Sequence, residues 1–132
     1  MSKSIDKDRV RKDAVELRFL EKVSSRLPED TEILQALAEA YTNAGEFQNG
    51  LAIDLKLSHR IPRDNLVWYN LGCSFALTGR KDEAFEALAK AIELGYYDYD
   101  WMKGDTDLNG LHDDPRFESL LSWLYTVACE EE

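Results

Sequence analysis

The sequence predicts an all-α protein built from stacked αα-hairpins. Apolar and small residues recur every three or four positions along most of the chain, the spacing of one helical stripe and not of a strand. Glycines interrupt these runs where a helix needs a residue able to adopt a left-handed turn, at Gly45, Gly79 and Gly95. The chain also superposes on itself. A shift of 34 residues places Pro28 on Pro62, Asp30 on Asp64, Leu34 on Trp68, Leu37 on Leu71, Ala38 on Gly72, Tyr41 on Phe75 and Gly45 on Gly79. The matches are physical as well as formal: the prolines cannot continue a helix, and the small Ala38 and Gly72 let a paired helix approach closely.

Taken in order, Met1 to about Asp6 is expected to fray, and a long amphipathic helix covers 6–27. Its stripe is Val10, Ala14, Leu17, Leu20, Val23 and Leu27, closed by Pro28. Without the partner that a full hairpin would give it, this helix is expected to expose Val15 or Phe19. The first hairpin spans 31–63 and the second 65–97. The second is the more regular, with Trp68, Leu71, Gly72, Phe75 and Ala76 on one helix, a stop at Gly79, and acidic Asp82 and Glu83 at the next helix start. Ala84, Phe85, Leu88, Ala91 and Ile92 form its second stripe, and Trp68 is expected to be a core anchor. In the first hairpin the corresponding second helix is weaker, with Gly50, Asp54 and Leu57 where Ala84, Leu88 and Ala91 stand.

After Gly95 the periodicity fails. Tyr96, Tyr97, Tyr99, Trp101 and Met102 are read as core filling of an irregular joint. The segment 98–129 is read as a C-terminal cap, in which Asp114 accepts from free amides and Pro115 opens a last helix with the stripe Phe117, Leu120, Leu121, Leu124, Val127 and Ala128. Trp123 falls off that stripe and is a second contact candidate if exposed. Glu130 to Glu132 are expected to be a solvated end.

The order Trp68-x2-Leu71-Gly72-x2-Phe75, then Gly79, Ala84, Leu88 and Ala91, resembles the tetratricopeptide repeat, with Phe75 for the usual tyrosine and Leu88 for the usual phenylalanine. The N-terminal helix resembles a half-repeat that has lost its first helix. The end of the chain resembles a terminal motif of bacterial arrays of this family, through Asp105, Asp107, Leu108 and Leu111 followed by Asp114, Pro115, Arg116, Phe117, Leu120 and Leu121. A length of 132 residues predicts one domain over 1–132, and the resemblance implies a right-handed superhelical arc of about six helices and a non-catalytic adaptor or scaffold that takes a peptide or partner helix on its concave face. Carried onto this chain, that face presents Gln35, Glu39, Thr42 and Asn43 from the first hairpin and Tyr69, Asn70 and Cys73 from the second. The proposed contact set is Gln35, Glu39, Asn43, Tyr69, Asn70 and Cys73, with Tyr69 as its aromatic anchor. Some relatives grip an acidic chaperone tail in a carboxylate clamp. Asn70 stands where such a clamp has asparagine, but Gln35 and Glu39 replace the expected lysine and asparagine, and Glu39 repels such a tail.

Composition narrows the function further. With 26 acidic and 16 basic side chains among 132 residues, the net charge is −10, which repels nucleic acid and favours a neutral or basic protein partner. No long apolar run or leader-like segment is visible, so the expected setting is the cytosol, away from membranes. Cys73 and Cys129 lack metal-ligand spacing and read as reduced thiols. No cofactor and no enzymatic activity is expected, because His59 and His112 stand apart and no nucleophile or phosphate-loop motif accompanies either. Asp105-x-Asp107-x-Asn109-Gly110 matches the first half of a calcium loop, but Arg116 occupies the place of the closing glutamate, so the segment reads as a helix-capping turn without a metal. The alternatives are a self-assembling structural protein pairing through its terminal helices and, more distantly, a chaperone-tail binder or small enzyme. A monomer is expected at low concentration, with a homodimer as the alternative.

Overall fold

The computed structural model describes residues 7–130. The expectations for Met1–Asp6 and for the last two glutamates fall outside them. Seven α-helices follow one another: α1 (Lys7–Arg26), α2 (Thr31–Asn43), α3 (Phe47–Arg60), α4 (Asn65–Leu77), α5 (Lys81–Glu93), α6 (Tyr99–Gly104) and α7 (Pro115–Glu130). A 3-10 segment, η1 (Thr106–Leu111), joins the last two, and no strand occurs among the described residues.

Local chemistry sets the boundaries. The Asp30 carboxylate accepts from the Ile33 amide at 3.1 Å, and Asp64 accepts from Leu66 and Val67 at 2.9 and 3.2 Å, so the two superposed aspartates cap the first helices of the two hairpins. Each of those helices ends on a left-handed glycine, Gly45 at φ 77° and Gly79 at φ 80°. The residue after each glycine bonds back across the turn, Glu46 to the Tyr41 carbonyl and Arg80 to the Phe75 carbonyl, both at 2.9 Å. Gly95, at φ 108°, repeats the device after α5, with Tyr96 bonding the Ala91 carbonyl at 2.9 Å.

Helices pack on their neighbours in sequence, α1 on α2, α2 on α3, α3 on α4 and α4 on α5. Of the glycines, Gly72 is the most closely approached, and any side chain there would place a Cβ 2.7 Å from Leu88 Cγ. Beyond α5 the order changes. η1 folds back onto α4 while α7 packs on α5 and α6, so α6 and η1 together take the position of a third first helix. The main core follows from this arrangement, running through Leu71, Phe75, Leu88, Met102, Leu108, Leu111 and Leu124. Smaller clusters, Leu17, Leu20 and Leu37, and Leu34, Leu57 and Val67, hold the N-terminal half.

The structure corrects three expectations. Trp68 is half-buried at the edge of the core, its indole N–H donating to the Pro62 carbonyl at 2.8 Å, while Val67 and Tyr69 beside it are the enclosed residues. Cover by α3 and η1 on either side buries α4 around most of its circumference. The α1 stripe contracts to Leu17 and Leu20, with Val10 and Leu27 exposed, because the 20-residue α1 outruns the 13-residue α2 by roughly 10 Å and Leu27 lies past its end. The aromatic joint is only partly core: Tyr96 and Met102 are buried, but Tyr97 and Trp101 are exposed. No helix among the described residues is long and apolar enough to cross a membrane.

Leu88 meets α4 with no solvent exposure, so Leu88→Ala should cost about 2–5 kcal/mol in urea denaturation. Trp68→Phe, which keeps an aromatic ring but loses the indole N–H and its bond to Pro62, should cost about 1 kcal/mol. The reverse order would place Trp68 at the centre of the core.

Candidate functional site

The first helices of the two hairpins, α2 and α4, face a concavity of about 670 Å³ that all six of the anticipated contact residues border. They divide by depth. Gln35, Glu39 and Asn43 from α2 and Asn70 from α4 are exposed and form its walls, whereas Tyr69 and Cys73 are 3 % and 6 % exposed and lie beneath. Tyr69 is therefore not a free aromatic anchor. Its hydroxyl donates to Asp105 Oδ2 at 2.6 Å, and its ring stacks on Tyr96 with centroids 4.5 Å apart and planes 6° from parallel.

Asp105 organises this floor because it also caps η1, accepting from the Asp107 amide at 3.0 Å. The Cys73 thiol lies 3.8 Å from the same carboxylate. Burial is the largest influence on all three neighbours: it raises Tyr69 and Cys73 far above their ordinary pKa values, and it raises Asp107, in each case reinforced by the Asp105 charge. Cys73, Asp105 and Asp107 bring ligand-type atoms within 4.8 Å of one another. The thiol and phenol protons, however, already serve Asp105, so these groups satisfy one another by hydrogen bonding. The calcium-like half-motif is this cap. Arg116, at its far end, binds Asp114 and Asp82, both at 2.8 Å, and lies 4.4 Å over the Phe85 ring, tying α7 to α5 and holding the Asp114 carboxyl down at about 2.

Asp54, which breaks the repeat pattern in the sequence, lies in the floor of the concavity. It is 5 % exposed, accepts from the Ser74 hydroxyl at 2.5 Å, and so links α3 to α4. Burial pushes its carboxyl up to about 6, against the stabilising bond from Ser74.

A second cleft, of about 470 Å³, opens where the start of α4 meets α6. It shares Leu66, Tyr69, Asn70 and Trp101 with the first. Leu66, Tyr97 and Trp101 are 57 %, 69 % and 62 % exposed there, beside Asp98. Sequence reasoning missed this cleft, since Leu66 and Trp101 lie far apart in the chain and the aromatic run was read as core. The two cavities form one acidic groove. Glu39, Asp54, Asp98, Asp105 and Asp107 line it, and no lysine or arginine does.

The remaining candidates lie elsewhere. The His59 ring nitrogen contacts the Leu55 carbonyl at 2.7 Å in the last turn of α3, and the His112 ring packs 4.8 Å from Phe117. Trp123 is 38 % exposed on α7 and borders neither cavity. Residues 67–94, which contain most of α4 and all of α5, match the family model for the tetratricopeptide repeat. No curated protein matches the chain.

Asp54 makes stability depend on pH. Its carboxyl is harder to ionise folded than unfolded, so between about 3.8 and about 6 the folded state holds the extra proton, and stability falls as pH rises through that window. Asp54→Asn should remove this slope and stabilise the protein at pH 7 by about 3 kcal/mol, on the order of two pKa units. Urea midpoints of both proteins from pH 4 to 7 check it; parallel curves would contradict it.

Proposed function

We propose that this chain, which carries a tetratricopeptide repeat at residues 67–94, is a non-catalytic protein-interaction adaptor whose concave groove takes a neutral or basic segment of a protein partner. Repeats of this family generally bind proteins, and the observation that supports this direction of preference is the lining of the groove: five carboxylates and no cation. Gln35, Asn43 and Asn70 offer both donors and acceptors to a partner's backbone, and Glu39 offers a charge to its side chains. Tyr69 and Cys73 act from below, as a buried floor hydrogen-bonded to Asp105. That floor matters for binding because a preformed surface loses little entropy when a partner settles on it.

Charge steers the encounter. An acidic groove in a chain of net charge −10 attracts a basic segment over roughly a Debye length and repels an acidic tail, which disfavours a chaperone-tail binder. A cytosolic setting fits this reading.

Three labelled amphipathic peptides of equal apolar content, with their polar faces lysine and arginine, glutamine, or glutamate, test the preference by fluorescence anisotropy. The basic peptide should bind best and the acidic one worst, with the difference shrinking as salt rises. Glu39→Lys should weaken the basic peptide about tenfold, or about 1.4 kcal/mol, without changing the helical circular-dichroism signal. Equal binding of all three peptides would overturn the reading.

A further inference from the structure

The outer face of α1 is apolar, basic and uncovered. Leu17 and Leu20 turn toward α2, while Val15 and Phe19, one turn apart on the other side, are each 63 % exposed. Arg11, Lys12, Lys22 and Arg26 lie three or four positions from Val15, Phe19 or each other, on the same face, and all four are exposed. The helix carries seven basic and four acidic side chains in a chain whose net charge is −10, so charge is segregated between this helix and the rest of the molecule. This is the chemistry that the groove lacks. The cleft between α4 and α6 exposes Leu66, Tyr97 and Trp101, and carboxylates stand beside it.

The helix cannot supply its own groove. Leu17 and Leu20 hold α1 against Leu37 and Tyr41 of α2, and the Tyr41 hydroxyl donates to Glu21 at 2.8 Å, so the Phe19 face points away from the body that bears the groove. The match is available only between molecules.

We propose that the occupant of the groove is α1 of a second copy, with Phe19 and Val15 seated in the cleft beside Leu66 and Trp101 and the basic side chains set against Asp98 and Glu39. The proposal rests on the groove reading above and names its partner. Each copy presents one helix and one groove, so two copies can seat each other's helices as a closed pair, and further copies can add head to tail. Because the attraction is partly between exposed charges, added salt weakens it.

Sedimentation velocity on the full chain, from low to high micromolar, tests this. The expected result is mass that grows with concentration above the monomer and falls back toward it at high salt. Phe19→Asp removes the helix contact, and Trp101→Ala or Leu66→Ser removes the cleft contact; all three side chains are more than half exposed, so the core is spared. Each variant alone should be monomeric. A mixture of Phe19→Asp with Trp101→Ala should form a one-to-one dimer, because one supplies an intact groove and the other an intact helix. Self-association that survives both Trp101→Ala and Leu66→Ser would overturn the proposal in favour of α1 pairing with α1 or stacking on α7. A wild-type chain that stays monomeric while binding the basic peptide would also overturn it, and would leave the groove reading intact. Failure of both would sink both.

Discussion

A single αα-hairpin cannot bury both of its apolar faces, so every part of this molecule is shaped by what covers the two hairpins. The two ends answer that constraint differently. At the C-terminal end the cover is irregular but complete: α6 and η1 occupy the place of another first helix, and α7 closes over α5. Leu108, Leu111 and Leu124 have no exposure there. At the N-terminal end the cover is one helix whose own outer face is left open, with Phe19 and Val15 in solvent. The C-terminal cover thus buries its inner leucines fully while leaving Tyr97, Trp101 and Tyr125 at the surface, and the N-terminal cover presents Val15 and Phe19.

The C-terminal cover also shapes the groove. Folding η1 onto α4 carries Asp105 to the Tyr69 hydroxyl and the Cys73 thiol, which turns the middle of α4 from a potential contact surface into a floor. Carboxylates are thereby drawn into partly buried positions with protons and amides as their partners. Asp54 is the same solution one helix earlier, held by Ser74. A groove floored by hydrogen-bonded carboxylates is acidic and poor in counter-charges of its own, which is the basis of the proposed preference for a basic segment.

The local signals were legible in the sequence. Asp30 and Asp64 cap where the 34-residue offset placed them, and the glycines at 45, 79 and 95 have positive φ because the turns need it. The stripe on α5 reads directly onto the core, since a regular neighbour covers it. What could not be read were consequences of contacts between distant segments. Tyr69 looked free because its periodicity placed it off the α4 stripe, and it is the return of the chain that encloses it, with Tyr96 stacked on its ring and Asp105, 36 residues later, on its hydroxyl. Asp54 read as a lapse in the repeat until Ser74, 20 residues on, became its partner. The cleft at Leu66 and Trp101 has no local signature at all, because it exists only once α6 docks beside the start of α4. By contrast, the exposure of Val15 and Phe19 followed from counting helices: a half-hairpin has one face too many.

The central claim is that recognition occurs in the concave acidic groove, and amide chemical-shift mapping on the isotopically labelled chain tests it most directly. On titration with an arginine- and lysine-rich amphipathic peptide, the account predicts that shifts and broadening gather at Gln35, Glu39, Asn70, Asp98 and the Trp101 indole, all bordering the groove. Changes confined to exposed positions away from it, such as Glu86 on α5 or Trp123 on α7, would contradict it.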